Sequence, residues 1–135
     1  MNDMPTGLTK DAGWQIGVSR TLPHPPAVVW DFVGGRDGLA LWLGAGADLE
    51  PRRGGLYRTA DGTEGEVRGY RAGDRIRVTY GTTVVQVALR PAGDGSRTRI
   101  TLHQERMAGP EERERRRAHW QRVMDDIAAA LDRRR

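Results

Sequence analysis

Residues 111–131 read EERERRRAHWQRVMDDIAAAL, and the fold turns on how this stretch is taken. Trp120, Val123, Met124, Ile127 and Leu131 recur at spacings of three and four, which is one face of an α-helix. Ala128 lies beside the same stripe. Stepped backwards by helical turns, that face reaches Arg117, Arg116 and Arg113. The apolar stripe therefore stops near Trp120, and guanidinium groups take over its first two turns. Two readings stay open. Either this end leaves the protein body and is solvated, or a long helix crosses a curved sheet, with its apolar half sealing a core and its polar half roofing a cavity. Pro110 suits a helix start, because its ring fixes φ and it has no N–H to leave unpaired. Glu111, Glu112 and Glu114 complement the positive end of the helix, and Arg133 to Arg135 the negative end.

Upstream of this helix the pattern is mostly of period two. Trp14, Ile16, Val18 and Leu22 alternate with Gln15, Gly17, Ser19 and Thr21, a half-buried strand. His24-Pro25-Pro26 ends it and places His24 at the surface. Residues 27–33 read as a short helix with Val28, Val29, Phe32 and Val33 inward. Gly34-Gly35 breaks it, and residues 37–43, with Leu39, Leu41, Trp42 and Leu43, read as a second. The flexible turn GAGAD follows.

From Leu49 onward the chain is β. Residues 56–60 and 63–71 flank Asp61-Gly62, a strong two-residue hairpin signal. In residues 75–80, Ile76, Val78 and Tyr80 alternate with Arg75, Arg77 and Thr79. Gly81 marks a tight return into residues 83–90, where Val85, Val87 and Leu89 share a face. In the last strand Thr98, Ile100, Leu102 and Gln104 alternate with Arg97, Arg99, Thr101 and His103. Parity then predicts Arg75, Arg77, Arg97 and Arg99 on the outer face, with Ile76, Val78, Ile100 and Leu102 inside. A strand, two short helices, antiparallel strands and a closing helix make an α+β domain over residues 14–135, after a flexible segment, residues 1–13.

Length and composition agree. A chain of 135 residues is expected to form one domain. Hydrophobic content of 37% and charged content of 30% suit a soluble globular protein. No run approaches the ~18 apolar residues of a membrane span. The opening MNDMPTGLTKDAG lacks a signal-peptide pattern, and there are 0 cysteines, so a cytoplasmic location is expected. Lys10 is the only lysine among 22 basic residues, a skew that suggests a GC-rich coding genome. The net charge of +4 comes without basic runs interleaved with aromatics, zinc-finger spacing or a helix-turn-helix, so no nucleic-acid partner is expected.

No catalytic motif stands out, whether a supported Ser-His-Asp order, HExxH, a glycine-rich phosphate loop or CxxC. His103 falls on the outer strand face, and His119 sits where the long helix changes from polar to apolar, as surface, packing or pocket residue. Spread histidines make no metal site, so no metal and no cofactor are expected. Asp31 and Asp37 read as helix-surface and capping residues. Aromatics are the better pocket candidates, since Trp and Tyr bring apolar area with one polar handle. The candidate ligand-binding set is Trp42, Tyr57, Tyr80, Val85, Val87, Gln104, Arg113, Arg116, Trp120 and Met124, with core packing the alternative for Trp42 and Trp30. A buried amide at Gln104 needs partners and can serve a ligand or a water. Arg113, Arg116 and Arg117 over the mouth would favour an anionic or polyphenolic ligand.

Several strings together resemble a known superfamily. VSRTLPHPPAVVWDF is similar to the opening strand and helix of START-like (SRPBCC) domains. GGRDGLALWLG resembles the motif that follows, GGLYRTADGTEGEVRGYRAGDRIRVTY the central hairpins, and SRTRITLHQERM with HWQRVMDDIAAAL the last strand and long helix. Within the superfamily the chain is most similar to the branch of the heat-shock-protein-90 ATPase activator homologues, over about residues 14–131. The resemblance implies a helix-grip fold, with about six or seven antiparallel strands wrapped round the long helix and a cavity between them. The short link from Tyr80 to Thr83 departs from relatives that carry a longer loop at the cavity rim.

Function classes follow from that resemblance. One is a module binding a mostly apolar, lipid- or polyketide-like or aromatic small molecule without turnover, as a monomer or weak homodimer and with no membrane partner. A second resembles the self-sacrifice resistance proteins of enediyne-producing actinomycetes. Those hold a reactive antibiotic and lose their own backbone to it, and 18 glycines with unshielded Cα atoms suit such chemistry. A third is a protein-interaction role like that of the chaperone ATPase activators. A cyclase- or hydrolase-like enzyme is the fourth. Fold alone does not choose among them.

Overall fold

The computed structural model describes residues 7–9 and 13–134. Its elements run β1 (Leu8–Thr9), β2 (Gly13–Leu22), α1 (Pro26–Val33), α2 (Arg36–Trp42), β3 (Asp48–Leu49), β4 (Leu56–Arg58), β5 (Glu64–Arg71), β6 (Arg75–Tyr80), β7 (Thr83–Ala92), β8 (Arg97–Met107) and α3 (Pro110–Arg133). The strands form one antiparallel sheet in the order β1-β2-β8-β7-β6-β5-β4-β3. Six or seven strands were expected, and the sheet has eight because Leu8–Thr9 and Asp48–Leu49 add two-residue strands at its two edges. Such short edges offer little template for further pairing. The expected flexible segment, residues 1–13, lies for the most part outside the described residues.

Strand parity builds the core. Ile76, Val78, Val85, Val87, Leu89, Ile100 and Leu102 are buried on one face of the sheet, beneath α3. The helix packs chiefly on β2, with α2 and β8 beside it, and closes the core with Trp120, Val123, Met124, Ile127 and Leu131. Arg75, Arg97 and Arg99 are exposed on the other face, as the alternation predicts. Arg77 is on that face too but half-buried, because it pairs with Glu105. The helix start follows the expected chemistry. Pro110 occupies its first turn, and Glu112 Oε1 accepts the backbone N–H of Ala108 at 2.7 Å.

Four local readings need correction. Val28 was expected inward but is 45% exposed, because Val29, Phe32 and Val33 already occupy the buried face of α1 and Val28 lies a quarter-turn away. His24 was expected at the surface but is only 6% exposed. The last turns of α3 cover it, and its Nε2 lies 3.0 Å from Asp132 Oδ1 while its carbonyl accepts Thr98 Oγ1 at 2.8 Å. His103, expected in solvent, is half-buried with Nε2 2.8 Å from Gln15 Oε1. Finally, β8 continues past Gln104 to Met107. Trp14 pairs with Met107 but Ile16 with Gln104, so β8 has one residue more than β2 there. Arg106, at φ 68°, carries this bulge and returns Met107 to the core.

Candidate functional site

The polar half of α3 meets the sheet at Gln104. This residue holds an inward position on β8, opposite Ile16 of β2 and Val85 of β7, and is 2% exposed. A buried amide must find partners, and here they come from the protein. Its Nε2 donates to Thr83 Oγ1 at 2.9 Å. Its Oε1 accepts from Trp120 Nε1 at 2.9 Å and from Arg116 Nε at 2.7 Å. Thr83 in turn donates its hydroxyl to the Tyr80 carbonyl at 2.6 Å. The network thus ties α3 to β8 and to the turn between β6 and β7.

Arg116 is the unusual member. Its guanidinium carbon lies 5.5 Å from the Tyr80 ring centroid and 5.2 Å from that of Trp120. Both distances suit cation–π attraction. Burial lowers its pKa from the ordinary arginine value, while Tyr80 and Glu112 pull it back up. Among the described residues, no carboxylate lies within ion-pair distance of it. The result is a half-buried cation held by two rings and an amide, with its terminal N–H groups available.

His119 packs edge-on to Trp120, with ring centroids 4.8 Å apart. Burial, followed by the charges of Arg116 and Arg122, lowers its pKa to about 4, so it is neutral at pH 7. Tyr57 forms the far wall. It is 2% exposed and donates its hydroxyl to the Thr79 carbonyl at 2.5 Å. Burial, with Tyr80 beside it, raises its pKa to about 12, so the phenol stays protonated. Its ring lies on Gly65, where an added Cβ would fall 2.3 Å from Tyr57 Cε2. Only a residue without a side chain lets the ring lie there.

The ten candidate residues divide. Gln104, Arg116, Trp120 and Tyr80 come together directly, and Tyr57 stands next to Tyr80. Val85, Val87 and Met124 are fully buried beneath them and present little surface. Trp42 donates its indole N–H to the Val33 carbonyl at 2.8 Å, within the packing of α1 and α2. Arg113 turns the other way. Its Nε donates to the Gln15 carbonyl of β2 at 2.7 Å, while Arg116 leans across β8 toward β6. Arg117 is exposed beside Glu114. At the place where the stripe on α3 turns polar, Arg116, Gln104 and Trp120 fill the space between helix and sheet. Thr83 was missed, although it shares strand parity with Val85, and a short polar residue at an inward position was the signal. Among the described residues, no three His, Cys, Asp or Glu side chains form a metal-binding group. No helix among them is long and apolar enough to cross a membrane.

A curved antiparallel sheet gripping one long C-terminal helix, with two short helices after its first long strand, defines the helix-grip class. The chain belongs to the Activator of Hsp90 ATPase homolog 1-like family, whose model matches residues 23–132. Solved structures share the fold at low identity. CalU16 from Micromonospora echinospora aligns with a TM-score of 0.72 and 15% identity, over 87% of this chain and 73% of that one. An HSP90 activator from Plasmodium falciparum gives 0.69 and 16%, over 87% and 96%. Protein CV1439 from Chromobacterium violaceum gives 0.65 and 24%, over 86% and 96%. No curated protein matches the sequence.

Proposed function

We propose that the chain binds a small, mostly apolar molecule with an anionic or acceptor edge, between α3 and the inner sheet face at the Arg116 end. The observation that carries this reading is Arg116 itself. A half-buried guanidinium clamped by Trp120 and Tyr80, with no carboxylate partner among the described residues, bears a desolvation cost that an arriving anion offsets. Arg116 swings outward in this reading, and the ligand's ring takes its place on the aromatic pair. Naphthoate and its neutral carboxamide are suitable probes, followed by tryptophan fluorescence and melting temperature. Naphthoate should quench and stabilise, the amide should do so less, and Arg116→Gln should weaken naphthoate binding about tenfold. Equal response to both probes in both proteins would count against it.

One feature favours the sacrificial variant of this function. Gly81, in the turn next to Tyr80 and Thr83, has φ +60 and no atom within 4 Å of the place where a Cβ would be. Gly62, Gly73, Gly95 and Gly109 are equally unshielded, but Gly81 is the one that adjoins Tyr80 in the chain, and in this reading its Cα hydrogen is the one a radical held on the Tyr80–Trp120 pair takes. In air, an activated enediyne should then take a hydrogen atom from the Gly81 Cα, and dioxygen adding to the carbon radical left behind should cut the chain there, giving two fragments by mass spectrometry. An intact chain after full drug activation would leave simple binding as the function.

A further inference from the structure

The chain's positive charge is not spread evenly. Helix α3 carries six acids and six arginines and is balanced. The outward positions of β6, β7 and β8 instead hold Arg75, Arg77, Arg90, Arg97 and Arg99 against one acid, Glu105, which is tied to Arg77. Register makes the crowding sharper. Arg90 lies directly opposite Arg99, and Arg71 directly opposite Arg75. Like charges facing each other across strands are destabilising. Only Arg71 of these four has an ion pair among the described residues, with Asp74 at 3.4 Å. The positions beside them carry small side chains, Ala88, Thr101 and Ser19, whose hydroxyl lies 2.8 Å from that of Thr101.

We propose that this outer face docks an extended acidic segment of a partner protein along the band Arg71–Arg75–Arg90–Arg99. Carboxylates suit the band because each guanidinium fork can hold one bidentately. The four arginines sit one each on β5, β6, β7 and β8, so the band crosses three inter-strand steps of about 4.8 Å, a span that roughly four residues of extended chain cover. Single-stranded nucleic acid fits less well, because the outward positions of β2, β6, β7 and β8 offer no Trp, Tyr or Phe ring for bases to stack on, and their imidazole, His103, is half-buried against Gln15. A membrane surface fits less well too, since the large exposed apolar residues, Val28 and Leu56, lie in α1 and β4. The face is separate from the Arg116 site, so the two readings stand or fall independently.

The test is fluorescence anisotropy of a labelled 20-residue glutamate-rich peptide at about 50 mM salt, with a 20-nucleotide single strand and phosphatidylserine vesicles as rivals. The triple variant Arg75→Ser, Arg90→Ser, Arg99→Ser should bind the peptide at least tenfold more weakly. A helix variant with the same charge loss, Arg115→Ser, Arg122→Ser, Arg133→Ser, should bind like the parent. Relief of the facing charges should leave the sheet variant melting no lower than the parent, and Arg99→Gln alone should give a smaller loss in the same direction. Equal loss in both triple variants would reduce the effect to net charge. Tighter binding of the nucleic acid or the vesicles, or no peptide binding, would overturn the proposal.

Discussion

The two halves of α3 meet the same sheet through different chemistry. From Val123 to Leu131 the contact is dry: Val123, Met124, Ile127 and Leu131 press on the buried aliphatics of the sheet. From Arg113 to Trp120 it is polar: the helix is tied down by donors that reach Gln15 and Gln104. Apolar contact is non-directional and tolerates many neighbours, whereas hydrogen bonds fix particular partners. The C-terminal half therefore supplies stability, and the N-terminal half supplies a defined arrangement of groups that a ligand can exploit.

The sharpest way to break this comparison is to cut into each half in turn. Ile127→Ala, at a site with 0% exposure, should cost about 2–5 kcal/mol in chemical denaturation. Gln104→Leu keeps an apolar-sized side chain but leaves the Trp120 indole N–H and the Arg116 Nε–H without their acceptor. It should cost about 1–3 kcal/mol, the range for stranded buried donors. A larger loss at Gln104 than at Ile127 would reverse the roles assigned to the two halves.

The dry half was legible in the sequence and the polar half only in part. Spacings of three and four place Trp120, Val123, Met124, Ile127 and Leu131 on one face whatever lies opposite. Period two likewise places Ile76, Val78, Ile100 and Leu102 inside, because local geometry decides both patterns. Partners of polar groups depend on chain segments far apart in sequence. Nothing local says that Gln104 will meet Thr83, Arg116 and Trp120, or that His24 will meet Asp132 across 108 positions. Arg113 and Arg116 look alike in the sequence, yet they turn to opposite sides because one reaches the Gln15 carbonyl on β2 and the other two rings and an amide. The bulge at Arg106 hid the end of β8 for a related reason, since it breaks the alternation by which a strand is recognised.

Acid titration sharpens the comparison with a smaller effect. His119 has its pKa lowered to about 4 in the fold, against about 6.5 in an unfolded chain. Between those values the unfolded chain binds the proton and the native one does not. Stability from this group is thus full above about pH 6.5, falls as pH drops toward 4, and levels off below. His119→Asn should flatten that slope in urea melts taken from pH 7 to pH 4. His103, also lowered by burial, should supply part of the slope that remains, and His103→Asn should reduce it, while Glu50, Asp61 and Asp94, held low by their hydrogen bonds, add to the slope at its acid end. An unchanged profile in His119→Asn would mean that the polar half of α3 is open enough for its histidine to titrate freely.

The smallest expected change in stability is at Arg116. Its removal deletes two ring contacts and one hydrogen bond, but it also frees a cation from a half-buried place where burial opposes its charge. Trp120 keeps its bond to Gln104, so no buried acceptor is stranded. These terms oppose one another, and Arg116→Ala should stay within about 0.5 kcal/mol of the parent. Denaturant midpoints compared at equal slope would measure this directly. The residue should matter instead to binding, where the same substitution should weaken an aromatic carboxylate about tenfold while leaving a neutral aromatic nearly unaffected. A loss of stability like that at Gln104, with no change in binding, would make Arg116 a structural clamp and return the polar half of α3 to the same role as its dry half.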